Sequence, residues 1–457
     1  MLNGENGNPP DSVADRGDAS TRGAYIPVQV PRHVPERLAI TLWDFSWYVR
    51  SGPGEPFEDL DRAAADAVER GYNTIRICAM PFLLFGSGLD TSSVELDRLG
   101  GDYAQNVRWY DVKTPTRFDG RAKLLELFRV CEEHDLYVIL SSWEYQQSSS
   151  FGVDSAWWDA LRAVDPEDRT VALAESLSAL IDFLAERRLD DRIAYTELHN
   201  EVQGGHLTDG ITSGRVDEVR CLIELEPRLS RGLARFHELQ PERPVTVNYA
   251  HVPVAAMRAI PAEIDVLVVH PYIYGVLDET TAAFDLRGEL ADFPRAAVDA
   301  AGILRPGAPD ATTWVLPEAS AWKMDATIVG KPEIFLHDWA DPRAFDRFLY
   351  ERYQVHRVEM DRVLAIWLDV AADRAQERGI PVVFGEGWIG YTPLHGDFEE
   401  GPVGAEFCRR AVRESIRVGA WGTVVCSNAA PHHPMWGDVA LQRECNRLFT
   451  APQSQRL

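Results

Sequence analysis

A chain of 457 residues, 45% apolar and 10% aromatic, has ample material for a buried core, and it contains no apolar run near the ~18 residues that a membrane span requires. Its formal net charge of −25 argues against nucleic acid and anionic membrane surfaces as partners, because neither is attracted to such a field, and favours a neutral ligand. The length suits one elaborated domain, since α/β barrels run past ~250 residues undivided.

Residues 1–24 are rich in Gly, Asn, Pro and Asp and read as a disordered arm ahead of a single domain over 25–457. The arm has no basic stretch followed by an apolar one, so the expected location is the cytoplasm. From Arg37 onward, strand and helix patterns alternate as βα units do. Arg37 to Trp43 is strand one and Phe57 to Gly71 its helix. Tyr72 to Pro81 is strand two, Arg121 to Asp135 a helix, Leu136 to Ser142 strand three, and Pro166 to Arg188 a helix. Arg192 to Val202, RIAYTELHNEV, is strand four, followed by a helix over Asp217 to Leu239. Pro244 to Ala250 and Asp265 to Tyr272 are strands five and six; Pro381 to Glu386 and Trp421 to Asn428 are strands seven and eight, with helices after each. The predicted fold is a (β/α)8 barrel. Six scattered cysteines without paired spacing read as reduced core thiols.

Between His270 and Pro381 lie 111 residues (381 minus 270) where such a barrel expects one helix. The span holds a strand-like run, Thr312 to Ser320, and a helical pattern from the N-cap Asp341 to Arg378 that would extend about 55 Å, so a break or a projection past the barrel is expected. Residues 275–378 are therefore read as an insertion between strands six and seven, capping the site or packing against another subunit.

Strand side chains alternate, so Tyr195, Glu197, His199 and Glu201 share one parity, and a Glu and a His there point to the barrel interior and mouth. In this fold the site gathers at the C-terminal strand ends. Those ends carry Trp43 and Asp44, Arg76, Trp143 and Glu144, Asn200 and Glu201, Asn248 and Tyr249, His270 and Tyr272, Glu386 and Trp388, and Asn428. Carboxylates, amides and rings in one place suit a sugar, whose hydroxyls need donors and acceptors and whose apolar faces stack on rings. Trp43, Trp143 and Trp388 are the expected platforms.

The run ELHNEV resembles the Glu-Leu-x-Asn-Glu-Pro motif on the fourth strand of clan A glycoside hydrolases, especially glycoside hydrolase family 5, the cellulase and mannanase group, with Val202 in place of Pro. The resemblance implies Glu201 as acid/base, Asn200 as the residue that binds the sugar 2-hydroxyl, and Arg76 in NTIRI as the strand-two arginine that contacts the nucleophile. It further implies that His270 and Tyr272 form the strand-six His-x-Tyr pair, and that Glu386 in GEGW is the strand-seven nucleophile. Departures mark a divergent member: Trp143 stands near an expected His, GEGW replaces Glu-Phe-Gly or Glu-Tyr-Gly, and the nearest candidate for the strand-eight Trp is Trp436, in the loop beyond.

The implied chemistry is a retaining, two-glutamate displacement on a β-linked oligosaccharide or glycoside, with carboxyls about 5 to 5.5 Å apart and no metal or organic cofactor. Arg76 would hold Glu386 ionised, while burial and nearby charge would keep Glu201 protonated. Glu318, at the end of the strand-like run, is a rival nucleophile: it lies 117 residues after Glu201 (318 minus 201), against 185 for Glu386 (386 minus 201). Choosing it would leave nine strands. A non-catalytic sugar-binding barrel is the alternative function. A metal-dependent barrel hydrolase is disfavoured because strand one has no His-x-His, and adjacent His432 and His433 are poorly spaced for one metal site. Arg76 has a second reading, as a structural ion pair with Glu197.

Overall fold

The computed structural model describes residues 25–211 and 217–452; the arm expected over 1–24 lies outside them. Leu38–Asp44 (β1), Thr74–Cys78 (β2), Tyr137–Ser141 (β3) and Ile193–Glu197 (β4) are buried at every position. That is the pattern of parallel strands covered on both faces. The next strand, β5, comes in two pieces, Val245–Thr246 and Asn248–Tyr249, followed by Leu267–Val269 (β6), Val382–Phe384 (β7) and Gly422–Val424 (β8).

These nine segments form one sheet whose two ends are the two pieces of β5. Val245 and Thr246 pair with β4, whereas Asn248 and Tyr249 pair with β6. One strand thus joins both edges, and the sheet closes into the eight-stranded barrel expected from the sequence. Leu38 opposite Gly422 completes the seam between β1 and β8.

The helices form where apolar positions recur at helical spacing behind an aspartate. Asp59, Asp119, Asp217, Asp341 and Asp438 each accept a backbone N–H of the first turn, starting Leu60–Glu69, Gly120–Glu133, Glu218–Leu239, Pro342–Arg378 and Val439–Thr450. Arg169–Ala185 and Pro402–Arg417 fill the remaining expected places.

Three readings need correction. The run Thr312 to Ser320 is not a strand: Ala311–Thr313 and Glu318–Met324 are 3-10 turns. Once the barrel is closed it offers no free edge for another strand to pair with. Pro342–Arg378 is one unbroken helix ended by Gly379 in the left-handed region (φ 66°). Its later part buries Leu364, Leu368, Ala371 and Ala375 and contacts β6 and β7, so it is the barrel's own helix between those strands, extended at its N-terminal end. Strand four also stops at Glu197, four residues short of Glu201. An element not foreseen is a short antiparallel hairpin, Val94–Leu96 with Thr116–Phe118, in the connection after β2.

All six cysteines are buried and free. Among the described residues no helix is long and apolar enough to cross a membrane.

At the N-terminal face of the barrel, Asp265 gathers three donors: Tyr25 Oη at 2.6 Å, the Val28 N–H at 2.7 Å and the Val245 N–H at 2.8 Å. Hydrogen bonds at that face of a barrel serve stability, so Asp265→Ala should lower the unfolding free energy by about 2–4 kcal/mol in urea titrations. A change under about 0.5 kcal/mol would mean these bonds are replaced by water without loss.

Candidate active site

Arg76 is the centre of the barrel mouth. Its side chain and that of Glu197 are fully buried, and Glu386 is 5% exposed. Nε and Nη2 donate to Glu197, Nη2 also donates to Asn200 Oδ1 at 2.6 Å, and Nη1 donates to Glu386 Oε1 at 2.8 Å. The guanidinium lies over the Trp143 ring, 4.6 Å from its centroid. Arg76 thus pairs with Glu197 and also touches Glu386. Burial disfavours its charge, but Glu197 and Glu386 outweigh that and hold the guanidinium protonated.

Glu197 is further held by Asn248 Nδ2 at 2.7 Å and Tyr195 Oη at 3.3 Å. Beyond it the chain leaves the strand, and Glu201 sits at the rim with a left-handed backbone (φ 43°). Its N–H donates to Asn248 Oδ1 at 2.6 Å, and its carboxyl accepts from Gln146 Nε2 at 3.0 Å. Gln146 in turn accepts from Asn200 Nδ2 at 2.8 Å, so the amide expected to meet a sugar is tied to a neighbour.

Glu386 lies two residues beyond β7. Gly385 lets it approach: a Cβ there would meet His270 Nε2 at 3.0 Å. Tyr272 Oη donates to Glu386 Oε2 at 2.7 Å and also bonds Ser427 Oγ at 2.8 Å and the Tyr391 hydroxyl. His270 Nδ1 is 2.9 Å from Glu201 Oε1 and 3.6 Å from Glu386 Oε1. One oxygen of each glutamate and this nitrogen all lie within 4.8 Å of one another. Such a trio is close enough to take a divalent cation, but both Glu386 oxygens already accept bonds from Arg76 and Tyr272.

Burial raises the pKa of both carboxyls. For Glu386 the nearby Glu201 adds to the rise, while His270, Arg76 and the Tyr272 hydroxyl oppose it. For Glu201 the opposition comes from the Gln146 amide and from Arg76 at longer range. His270 is itself pushed down to about 4 by burial. Arg76, expected to favour the ionised form of Glu386, opposes the rise there, but burial outweighs it, and both carboxyls are raised. Glu201 is the more open, its side chain 15% exposed.

A cavity of about 200 Å³ opens over this pair. Trp143, Asn200, Glu201, Glu386 and Asn428 line it, together with Gln146, Trp109, Tyr391 and Ser427, which the sequence reading missed. Gln146 and Trp109 lie in irregular loops, where neither periodicity nor a strand end marks them. Trp43 and Trp388 do not line it. Trp43 is fully buried against Phe57, and Trp388, also buried, donates its Nε1–H to Val425 O at 2.8 Å. Glu318 is exposed on its 3-10 turn and absent from the cavity wall. His433 reaches the wall, whereas His432 faces Asp44 with Nε2 3.2 Å from Oδ2.

A parallel eight-stranded barrel with two facing glutamates on its C-terminal rim defines a divergent barrel of the clan A glycoside hydrolase type. The chain belongs to the Cellulase-like family, described as sugar-binding and cellulase-like, whose family model matches residues 40–450. A structure from Parabacteroides distasonis ATCC 8503, provisionally named a glycoside hydrolase, is 20% identical over 90% of this chain and 92% of its own, with a TM-score of 0.63, a likeness of fold. The endo-β-1,4-mannanase of Thermotoga petrophila is 13% identical over 92% of this chain and 78% of its own, at a TM-score of 0.46. An endoglucanase of Clostridium longisporum is 12% identical over 92% and 99%, at 0.44. Likeness at these last two scores carries no argument. No curated protein matches the chain.

Removing the guanidinium takes away a cation and one hydrogen bond from Glu386, so Arg76→Met should raise that carboxyl's pKa. Difference infrared titration of carboxyl bands against wild type reads it. The same change leaves Glu197 without its counterion, and the unfolding free energy should fall by about 3–5 kcal/mol. An unmoved titration in a folded variant would mean that Arg76 serves Glu197 alone.

Proposed function

We propose that this protein is a retaining glycoside hydrolase acting on a β-linked oligosaccharide or glycoside. The observation that carries the reading is the separation of the two glutamates, whose nearest oxygens lie within 4.8 Å. Retaining enzymes place their carboxyls about 5 to 5.5 Å apart, whereas inverting enzymes leave about 6.5–9.5 Å for a water.

The roles follow from what each carboxyl touches. Glu386, bonded to Arg76 and Tyr272, carries the negative charge and attacks the anomeric carbon. Glu201 has no bonded cation and keeps the proton, which it passes to the departing glycosidic oxygen. Once Glu386 is esterified its charge is gone, so an ionised Glu201 no longer faces a second carboxylate. Glu201 then becomes the base that draws a proton from water, and its greater exposure gives water access. Arg76 and Tyr272 position and stabilise the carboxylate released at the end. Every group in this sequence comes from the chain itself.

A sugar-binding barrel without turnover is the second reading, favoured by the family's own description as sugar-binding. The two are separated by nitrophenol release from a panel of aryl β-glycosides. Under the first reading Glu386→Ala should lose at least about 10⁴-fold in kcat and regain part of it with azide, as an α-glycosyl azide. Glu201→Ala should keep turnover only on substrates with good leaving groups, and give a β-glycosyl azide. Binding of glycosides with no release by wild type would support the second reading.

A further inference from the structure

The inserted stretch between β6 and the long helix supplies a wall of the cavity. Ile328, Val329 and Glu333 line it together with Tyr274, which stands at the start of the insertion. Glu333 lies in the first turn of the helix Lys331–Trp339. The same cavity is lined by Phe45 after β1, Gln147 after β3 and His433 after β8. An enzyme that cuts within a chain needs a groove open at both ends. Here the segments at or after β1, β2, β3, β4, β6, β7 and β8 all contribute to the wall, and its volume of about 200 Å³ falls below the ~300–1,000 Å³ of sites that take drug-sized ligands. One pyranose ring fits such a space; a run of them does not.

Several polar atoms in this wall are left without a partner. Among the described residues Glu333 makes no hydrogen bond and no ion pair, although it also borders a smaller cavity that holds Arg287. Burial pushes its carboxyl up to about 7, with Arg287 opposing. Trp109 Nε1, Asn428 Oδ1 and His433 Nδ1 are buried and unpartnered in the same wall. Buried polar atoms are nearly always satisfied, so a set of them around one cavity marks a ligand that brings its own donors and acceptors.

Resting on the glycosidase reading for its chemistry, we infer that the insertion turns the barrel mouth into a blind pocket for one non-reducing terminal sugar, and that Glu333 fixes this sugar by accepting hydrogen bonds from two of its hydroxyls. The protein is then exo-acting, removing single sugars from a chain end or from a small aglycone. The glycone carries free neighbouring hydroxyls on the side away from the scissile bond. Glu333 is a specificity-determining residue and takes no part in bond cleavage.

The test uses calorimetric titration of the full-length Glu201→Gln protein, so that ligand survives. The probes are the methyl β-glycosides of glucose, galactose, mannose, xylose and N-acetylglucosamine, with cellotetraose and mannotetraose. At least one methyl glycoside should bind within about threefold of the better tetrasaccharide, because only one ring is held. Adding Glu333→Ala should weaken that binding by about tenfold or more, and Glu333→Gln should restore part of it, since an amide oxygen still accepts. A tetrasaccharide that binds more than about tenfold tighter than every methyl glycoside would overturn the inference. Unchanged affinity in a folded Glu333→Ala protein, or no binding of any single sugar, would do the same. Single-sugar binding that depends on Glu333, with no turnover of that glycoside by wild type, would refute the glycosidase reading and leave the pocket assignment standing.

Discussion

A guanidinium with no solvent exposure, held between two carboxylates, is the constraint on which the rest of this molecule depends. Arg76 has five N–H donors in a planar fork, and the barrel mouth is built to receive them: Glu197 takes one edge, Glu386 one corner, and Asn200 another. The buried cation would be costly alone and is tolerated because each neighbour is charged or correctly aimed. In return it fixes the spacing of strands two, four and seven at one point. Glu386 is presented by Arg76 and Tyr272 together, so its orientation does not depend on a ligand being present.

The same layout explains why two glutamates of similar burial are not equivalent. Both are raised by desolvation. Only Glu386 has a direct bond to a cation, and only Glu201 stands in a strained turn at the rim, open enough to exchange protons with what lies outside. Asymmetry of this kind sets the two carboxylates apart in environment.

Much of this was legible in the sequence, and the limits have physical causes. The strands are short apolar runs whose ends carry polar residues, so eight strands, the rim glutamates, Arg76, Asn200, His270 and Tyr272 could all be read from local pattern. They meet in one place because a closed parallel barrel brings every strand end to one rim. What failed depended on direction or on contacts through space. Trp43 lies near the end of β1 and Trp388 four residues beyond β7, but neither lines the cavity, and composition does not tell which way such a ring turns. Thr312 to Ser320 has strand-like residues but no edge to join. Gln146 and Glu333 owe their places to loops folding back over the barrel, and no spacing in the chain encodes that. The insertion was legible as an excess of residues, and Ile328, Val329 and Glu333 within it line the cavity.

The central claim is that Glu386, set by Arg76, forms the covalent bond in a double displacement. It is tested most directly by trapping: incubation with the 2-deoxy-2-fluoro β-glycoside of whichever sugar the aryl panel identifies, then peptide mass spectrometry. The account predicts one fluoroglycosyl adduct per chain, on the peptide containing Glu386, formed as activity is lost. An adduct on Glu318 or Glu201 instead, or turnover of the parent glycoside with inversion at the anomeric carbon and no adduct at all, would contradict it.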